Sequence, residues 1–175
     1  MPQIEGVRYE IVDGELYVSN APHWYHQDAV DELSLELRAW NKMNGAGATR
    51  TGPGLVFAED QDVIPDLVWI SNERLAHGLD GAGHLTVAPE LVVEVLSLGS
   101  SNERRDREVK LSLYARQGVD EYWIVDWRAR QVEVYRRDEG DLRLVATLTG
   151  EDTLTSPMLP GFSCSVASLW PPATP

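Results

Sequence analysis

A single cysteine, few basic residues and no long apolar run set the first limits on this chain. Cys164 stands alone, which rules out an internal disulfide and a cysteine-only zinc site. Lys and Arg total 15 against 28 Asp and Glu, a net charge of −13. Such an acidic surface argues against nonspecific nucleic-acid binding by the whole molecule, because phosphate contacts need cations. The longest apolar runs, 91–96 and 122–125, contain or abut charges and cannot span a bilayer. The opening MPQIEGVRYE has neither a basic flank nor an apolar stretch, so no secretory signal and a cytoplasmic setting are expected. Several catalytic signatures are missing too. There is no G-x-S-x-G elbow, and GAGATRTGPG lacks the Lys-Ser/Thr ending of a phosphate loop. His23, His26, His77 and His84 show no H-E-x-x-H spacing.

What is present fits one globular domain. The chain has 175 residues, 43% hydrophobic and 25% charged, enough for one sizeable core and too short for two. The expected domain covers 1–170, with a Pro-rich tail at 171–175 that frays. Charge is uneven along the chain. Residues 1–103 hold 5 basic and 17 acidic side chains, whereas 104–143 hold 10 basic and 9 acidic. The basic residues thus gather at ERRDREVK and after it. That stretch suits either a local phosphate-facing surface or, more simply, solvated faces of a helix and a hairpin.

Two alternating segments around Asp13-Gly14 predict a hairpin over 8–18. A helix follows, with Asn20 as its cap, Pro22 in its first turn, and His26, Val30, Leu33, Leu37 and Trp40 on one face. Gly45 ends it. Strands are predicted at 54–58, 63–70 and 91–96, then a helix over 102–117 capped by Ser100 or Ser101 and ended by Gly118. Three more strands follow at 121–126, 131–136 and 142–148. Apart from the hairpin, the order helix, three strands, helix, strand predicts an α/β (α+β) sheet sandwich and not a doubly wound fold.

Two carboxylates stand out. Glu94 lies inside LVVEVLS, where an ionised side chain costs several kcal/mol unless a cation or hydrogen bonds compensate. A salt bridge or a bound metal would do so. Asp66 follows Pro65 in VIPDLVWI; proline removes a ladder donor and points to a sheet edge or a bulge. Lys110 shares a helix face with Asp106 and Tyr114, the spacing of an ordinary surface ion pair. That helix follows the Glu94 strand and can pack back over the sheet, bringing Lys110 near both acids. Two carboxylates and a lysine then suit magnesium or manganese held by oxygen ligands, with the lysine orienting or deprotonating the attacking water.

With those residues in view, the chain resembles the Uma-type endonuclease family, a branch of the PD-(D/E)XK restriction-endonuclease-like superfamily. The resemblance runs through YEIVDGELYV, the first helix, PDLVWI, PELVVEVLS, RRDREVKLSLYARQGVDEYWIVD and VEVYR to LTSPMLPGFS. It implies a restriction-endonuclease-like core with an extra N-terminal hairpin and C-terminal strands. The Pro-Asp pair corresponds to Pro65-Asp66 and the strand acid to Glu94. The superfamily's lysine would fall at Leu96; the Uma-type branch takes it from the following helix, which matches Lys110. Leu98 also replaces the proline of a Ser-Pro-Ser loop. The implied activity is hydrolysis of nucleic acid, DNA first, by a catalytic set of Asp66, Glu94 and Lys110. Asp66, Glu94 and the Val95 carbonyl are the implied ligands of magnesium or manganese. His26, a histidine that relatives share, is either a base or phosphate contact or a core histidine bonded to a carbonyl. Cutting two strands would suit a homodimer. The alternative is a nuclease-like scaffold that binds nucleic acid or a partner protein without cutting.

Overall fold

Asp13 and Gly14 both take positive φ, 51° and 76°, as a tight hairpin turn requires. They join β1 (Arg8–Val12) to β2 (Glu15–Ser19). This is a computed structural model, and residues 7–170 are described; the tail expected to fray at 171–175 lies outside them.

The first helix, α1 (Trp24–Asn44), ends at left-handed Gly45 and buries all five residues of the expected stripe. Its start differs from the expectation. The cap is His23, whose Nδ1 accepts the Tyr25 N–H at 3.2 Å, and not Asn20. Pro22 explains the shift, because a residue before proline is pushed out of the helical region, here Ala21.

The main sheet has six strands in the order β10-β9-β8-β7-β6-β3. They are β3 (Gly47–Thr51), β6 (Leu67–Ser71), β7 (Leu91–Val95), β8 (Glu121–Asp126), β9 (Gln131–Asp138) and β10 (Asp141–Thr149). Only β7 and β8 run parallel. A helix α3 joins them, with α-helical ends Ser100–Arg104 and Leu111–Gln117 and a π-helical middle Arg105–Lys110. Gly118 ends it as expected, but the cap position is Gly99, with no side-chain cap bond, so neither Ser100 nor Ser101 fills that role.

The order helix, three strands, helix, strand holds, though with different strands. The core triplet is β3, β6 and β7. Residues 54–58 instead supply β4 (Leu55–Ala58), which with β5 (Gln61–Val63) joins the hairpin in a second sheet, β2-β1-β5-β4. The segment read as one strand over 63–70 is two strands in different sheets. Pro65, lacking an N–H, sits where the chain leaves one ladder for the other. The strand β3 escaped prediction because GATRT carries almost no apolar pattern. A four-residue helix α2 (Asn72–Leu75), a short pair of strands, β11 (Thr153–Leu154) with β12 (Cys164–Ser165), and a 3-10 turn at Val166–Leu169 are the remaining elements of the described residues.

The main sheet is covered on both faces. On one side Leu91, Val93 and Val95 pack with Leu33, Leu37 and Trp123. On the other, Val92 and Leu96 pack with Leu113, Tyr114 and residues of the small sheet. Every position of β7 is buried, as its continuous apolar run implies.

Candidate active site

Side chains alternate across a strand, so Glu94 shares the face of Val92 and Leu96, the face covered by α3. There Lys110 Nζ donates to Glu94 Oε1 at 2.9 Å, and the Tyr114 hydroxyl donates to the same oxygen at 2.8 Å. The spacing of four residues sets Lys110 and Tyr114 one turn apart above β7. No donor among the described residues bonds Glu94 Oε2. Lys110 also touches Glu10 Oε1 at 2.7 Å and lies 3.9 Å from Asp106 Oδ1. It is fully buried, which removes the surface ion-pair reading. Burial alone would favour loss of its proton. Glu94, Glu10 and Asp106 outweigh that and hold its pKa above the ordinary lysine value.

Asp66 sits just past the crossover at Pro65. Its Oδ1 accepts from Arg8 Nη1 at 2.9 Å, and its Oδ2 accepts the Val95 N–H at 2.9 Å. His26 Nε2 lies 3.2 Å from Oδ2. Burial pushes the carboxyl up, but His26, Arg8 and the Val95 N–H together hold it well below the usual range. Three of roughly four lone-pair positions are thus used, leaving one on Oδ1. His26 is buried, yet its partners are this carboxylate and, at Nδ1, the Gln27 Oε1 at 3.1 Å, not a backbone carbonyl. Burial disfavours its charged form; Asp66 more than compensates and raises its pKa.

Asp66 and Glu94 meet at a cleft of about 360 Å³ whose lining includes Arg8, His26, Asp66, Glu94, Val95 and Arg105. Lys110 is not on that lining. Among the described residues no three His, Cys, Asp or Glu side chains are grouped to hold a metal. A magnesium-sized cation at this cleft would therefore rely on the two carboxylates, a backbone carbonyl and water. That set fits the hard, partly hydrated coordination magnesium favours. Glu94 Oε2 and the spare position on Asp66 Oδ1 are the oxygens left for it.

Burial, aided by Asp66, Asp106 and Glu10 and opposed by Lys110, pushes the Glu94 carboxyl up to about 8. An acid raised in this way keeps a proton in the native state that the unfolded chain has released. Its contribution to stability is complete below the ordinary value of 4.5 and is lost as pH rises through about 8. Relative to Glu94→Gln, the wild-type protein in metal-free buffer should lose on the order of 4 kcal/mol between about pH 5 and pH 9. Denaturant midpoints across that range measure it, and a constant difference would remove the argument.

Sequence reasoning missed several members of this cluster. Glu10 accepts the Ile64 N–H at 2.9 Å and approaches Arg105 Nη1 at 3.7 Å, so it ties Lys110 to the segment that carries Asp66. Its only signal was alternation: Glu10 shares the inward face of β1 with Val12. Arg8 had none. Tyr114 reads as a core aromatic, and it is wholly buried, but its hydroxyl holds Glu94. Arg105 gave no signal, because an ordinary helix would not turn it inward beside Asp106 and Lys110, whereas the wider π-helical turn buries all three.

Comparison with known proteins agrees with this architecture. The crystal structure of "a putative nuclease belonging to DUF820 from Anabaena variabilis ATCC 29413" superposes with a TM-score of 0.76 at 16% identity. The match covers 97% of this chain and 92% of that one; at such low identity it shows the fold. The type IIG restriction endonuclease BpuSI matches over 83% of this chain but 15% of its own length, at 14% identity and a TM-score of 0.43. No curated protein matches. The model of the Uma2 family, described as "Putative restriction endonuclease", matches residues 1–167. With nearly the whole chain inside that match, this protein belongs to the Uma2 family.

Proposed function

We propose that this protein is a metal-dependent nuclease that hydrolyses phosphodiester bonds, with DNA as its substrate. The observation that carries the proposal is the meeting of Asp66, in the bend before β6, and Glu94, within β7, at one cleft backed by Lys110. Asp66, Glu94 and the Val95 carbonyl would hold magnesium or manganese, which when bound lowers the pKa of a water and neutralises charge on the phosphate. The chain's own groups prepare the rest. The Val95 N–H, Arg8 and His26 fix Asp66 as an anion. The Arg8 side chain is about one-third exposed (32%) on the cleft side and can meet a phosphate oxygen. Lys110 was expected at the attacking water. Sealed behind Glu94, it acts here as a positioning residue that orients the carboxylate.

One observation favours the rival scaffold that binds without cutting. Lys110 does not reach the cleft, and its ammonium is occupied by Glu10 and Glu94. Manganese binding separates the readings. Titration calorimetry should show one site, weakened about 10–100-fold in Asp66→Ala, a loss comparable to that of disturbing a metal ligand's support. Equal affinity in both proteins would move the metal elsewhere. Binding of nucleic acid with no manganese site at all would favour the scaffold.

A further inference from the structure

A group of aromatic side chains at the start of α1 flanks the mouth of the cleft and takes no part in the proposed hydrolysis. His23, Trp24 and Tyr25 lie between Pro22, which lines the cleft, and His26, which meets Asp66. The His23 ring stacks on Trp127 with centroids 4.8 Å apart and planes at 12°. Tyr25 tilts against both, at 5.4 Å from His23 and 5.8 Å from Trp127. From beneath, Trp127 Nε1 donates to the Leu96 carbonyl at 3.0 Å, one residue before Ser97 of the cleft lining. The platform is therefore fastened to the start of α1, which carries His26, and to the residue that follows β7.

Tyr25 of this group and its chain neighbour Trp24 are both exposed, at 41% and 76%, whereas Trp40, Trp69 and Trp123 are buried in the core. Exposed aromatic rings beside a polar cleft mark a binding surface. The charges around it indicate the occupant. The cleft arginines are already paired, Arg8 with Asp66 and Arg105 with Asp106 and Glu10. Arg128, next to Trp127, is held by Glu103 and Asp126. With these cations committed to carboxylates, the face is poorly suited to neutralising the two backbones of a duplex. Stacking on a nucleobase needs no such charge, and every base offers a face to it.

We infer that this platform stacks an unpaired nucleobase next to the phosphate in the cleft, so that the preferred ligand is single-stranded nucleic acid. The inference rests on the nuclease reading above and narrows its substrate. The test compares wild type, Trp24→Ala/Tyr25→Ala and Trp24→Phe by fluorescence anisotropy, in EDTA, with a labelled oligothymidylate and with a duplex of equal length. Wild type should bind the single strand more tightly than the duplex. The double variant should bind it roughly 5- to 100-fold more weakly, with duplex binding and helical circular dichroism unchanged. Trp24→Phe should recover most of the loss. Equal or tighter duplex binding by wild type, or an unaltered single-strand affinity in the double variant, overturns the inference. So does a change in size-exclusion volume without a change in affinity, which would make the patch a contact between copies. Manganese-dependent plasmid cleavage, run in parallel, keeps the two claims apart. Plasmid cleavage by wild type together with unaltered single-strand binding in the aromatic variants sinks only the stacking site, and single-strand preference with no cleavage sinks only the catalysis.

Discussion

Lys110→Ala should lower the folding stability by about 3–5 kcal/mol, the usual result of removing one partner from a buried charge cluster. At this chain length that amounts to a fall in melting temperature of about 10 °C or more. The reason is specific to the site. Lys110 is the cation shared by Glu94, Glu10 and Asp106, all buried. Its removal strands those acids beside a cavity, leaving Arg105 as the nearest remaining cation on α3, in contact with Glu10 and Asp106 but bonded to neither Glu94 oxygen. Lys110→Met tests the charge apart from the volume and should lose nearly as much. Adding Glu10→Gln to Lys110→Met should restore part of the loss, because one stranded charge is gone. Thermal denaturation near pH 8 is the measurement. A Lys110→Ala variant within about 1 kcal/mol of wild type would mean that the ammonium is solvated and the cluster is not closed.

Glu94→Gln should abolish most cleavage, by about 10²–10³-fold or more, the scale seen when a group stabilising transition-state charge is lost. The amide keeps nearly the same shape and can still accept from Lys110 and Tyr114 through its oxygen. Its melting temperature above pH 8 should therefore match or exceed that of wild type, since the cost of a buried carboxylate has gone. Loss of activity without loss of fold is what distinguishes a ligand from a structural acid. Plasmid nicking with manganese gives the rate, and a calorimetric or optical melt gives the stability. Undiminished cleavage in a folded variant would take Glu94 out of the reaction.

How much of this was legible in the sequence varies residue by residue. Glu94 betrayed itself because a lone acid in LVVEVLS violates the apolar logic of a doubly covered strand. Asp66 betrayed itself through Pro65, whose missing donor marks the point where the chain changes sheets. His26 lay in register with the buried stripe of α1, and the structure turns its far nitrogen to Asp66. Glu10 and Arg8 gave no comparable signal. They come from a hairpin that reads as an ornament, and only pairing of β1 with β5 brings it over the site, where Ile11 meets Asp62.

Local chemistry set the elements: Asp13-Gly14 the hairpin, Gly45 and Gly118 the helix ends, and the continuous run of β7 its double burial. Those are properties of a few adjacent residues and survive without knowledge of the rest. The register of Asp106, Lys110 and Tyr114 was equally local, but whether their helix faced water or acid was not. That was decided by packing α3 and the small sheet onto one face of the main sheet, where leaving water is tolerable for an ammonium only when carboxylates from distant segments arrive with it. The same packing left Trp24 outside while other tryptophans went in, a choice no single stretch of sequence contains.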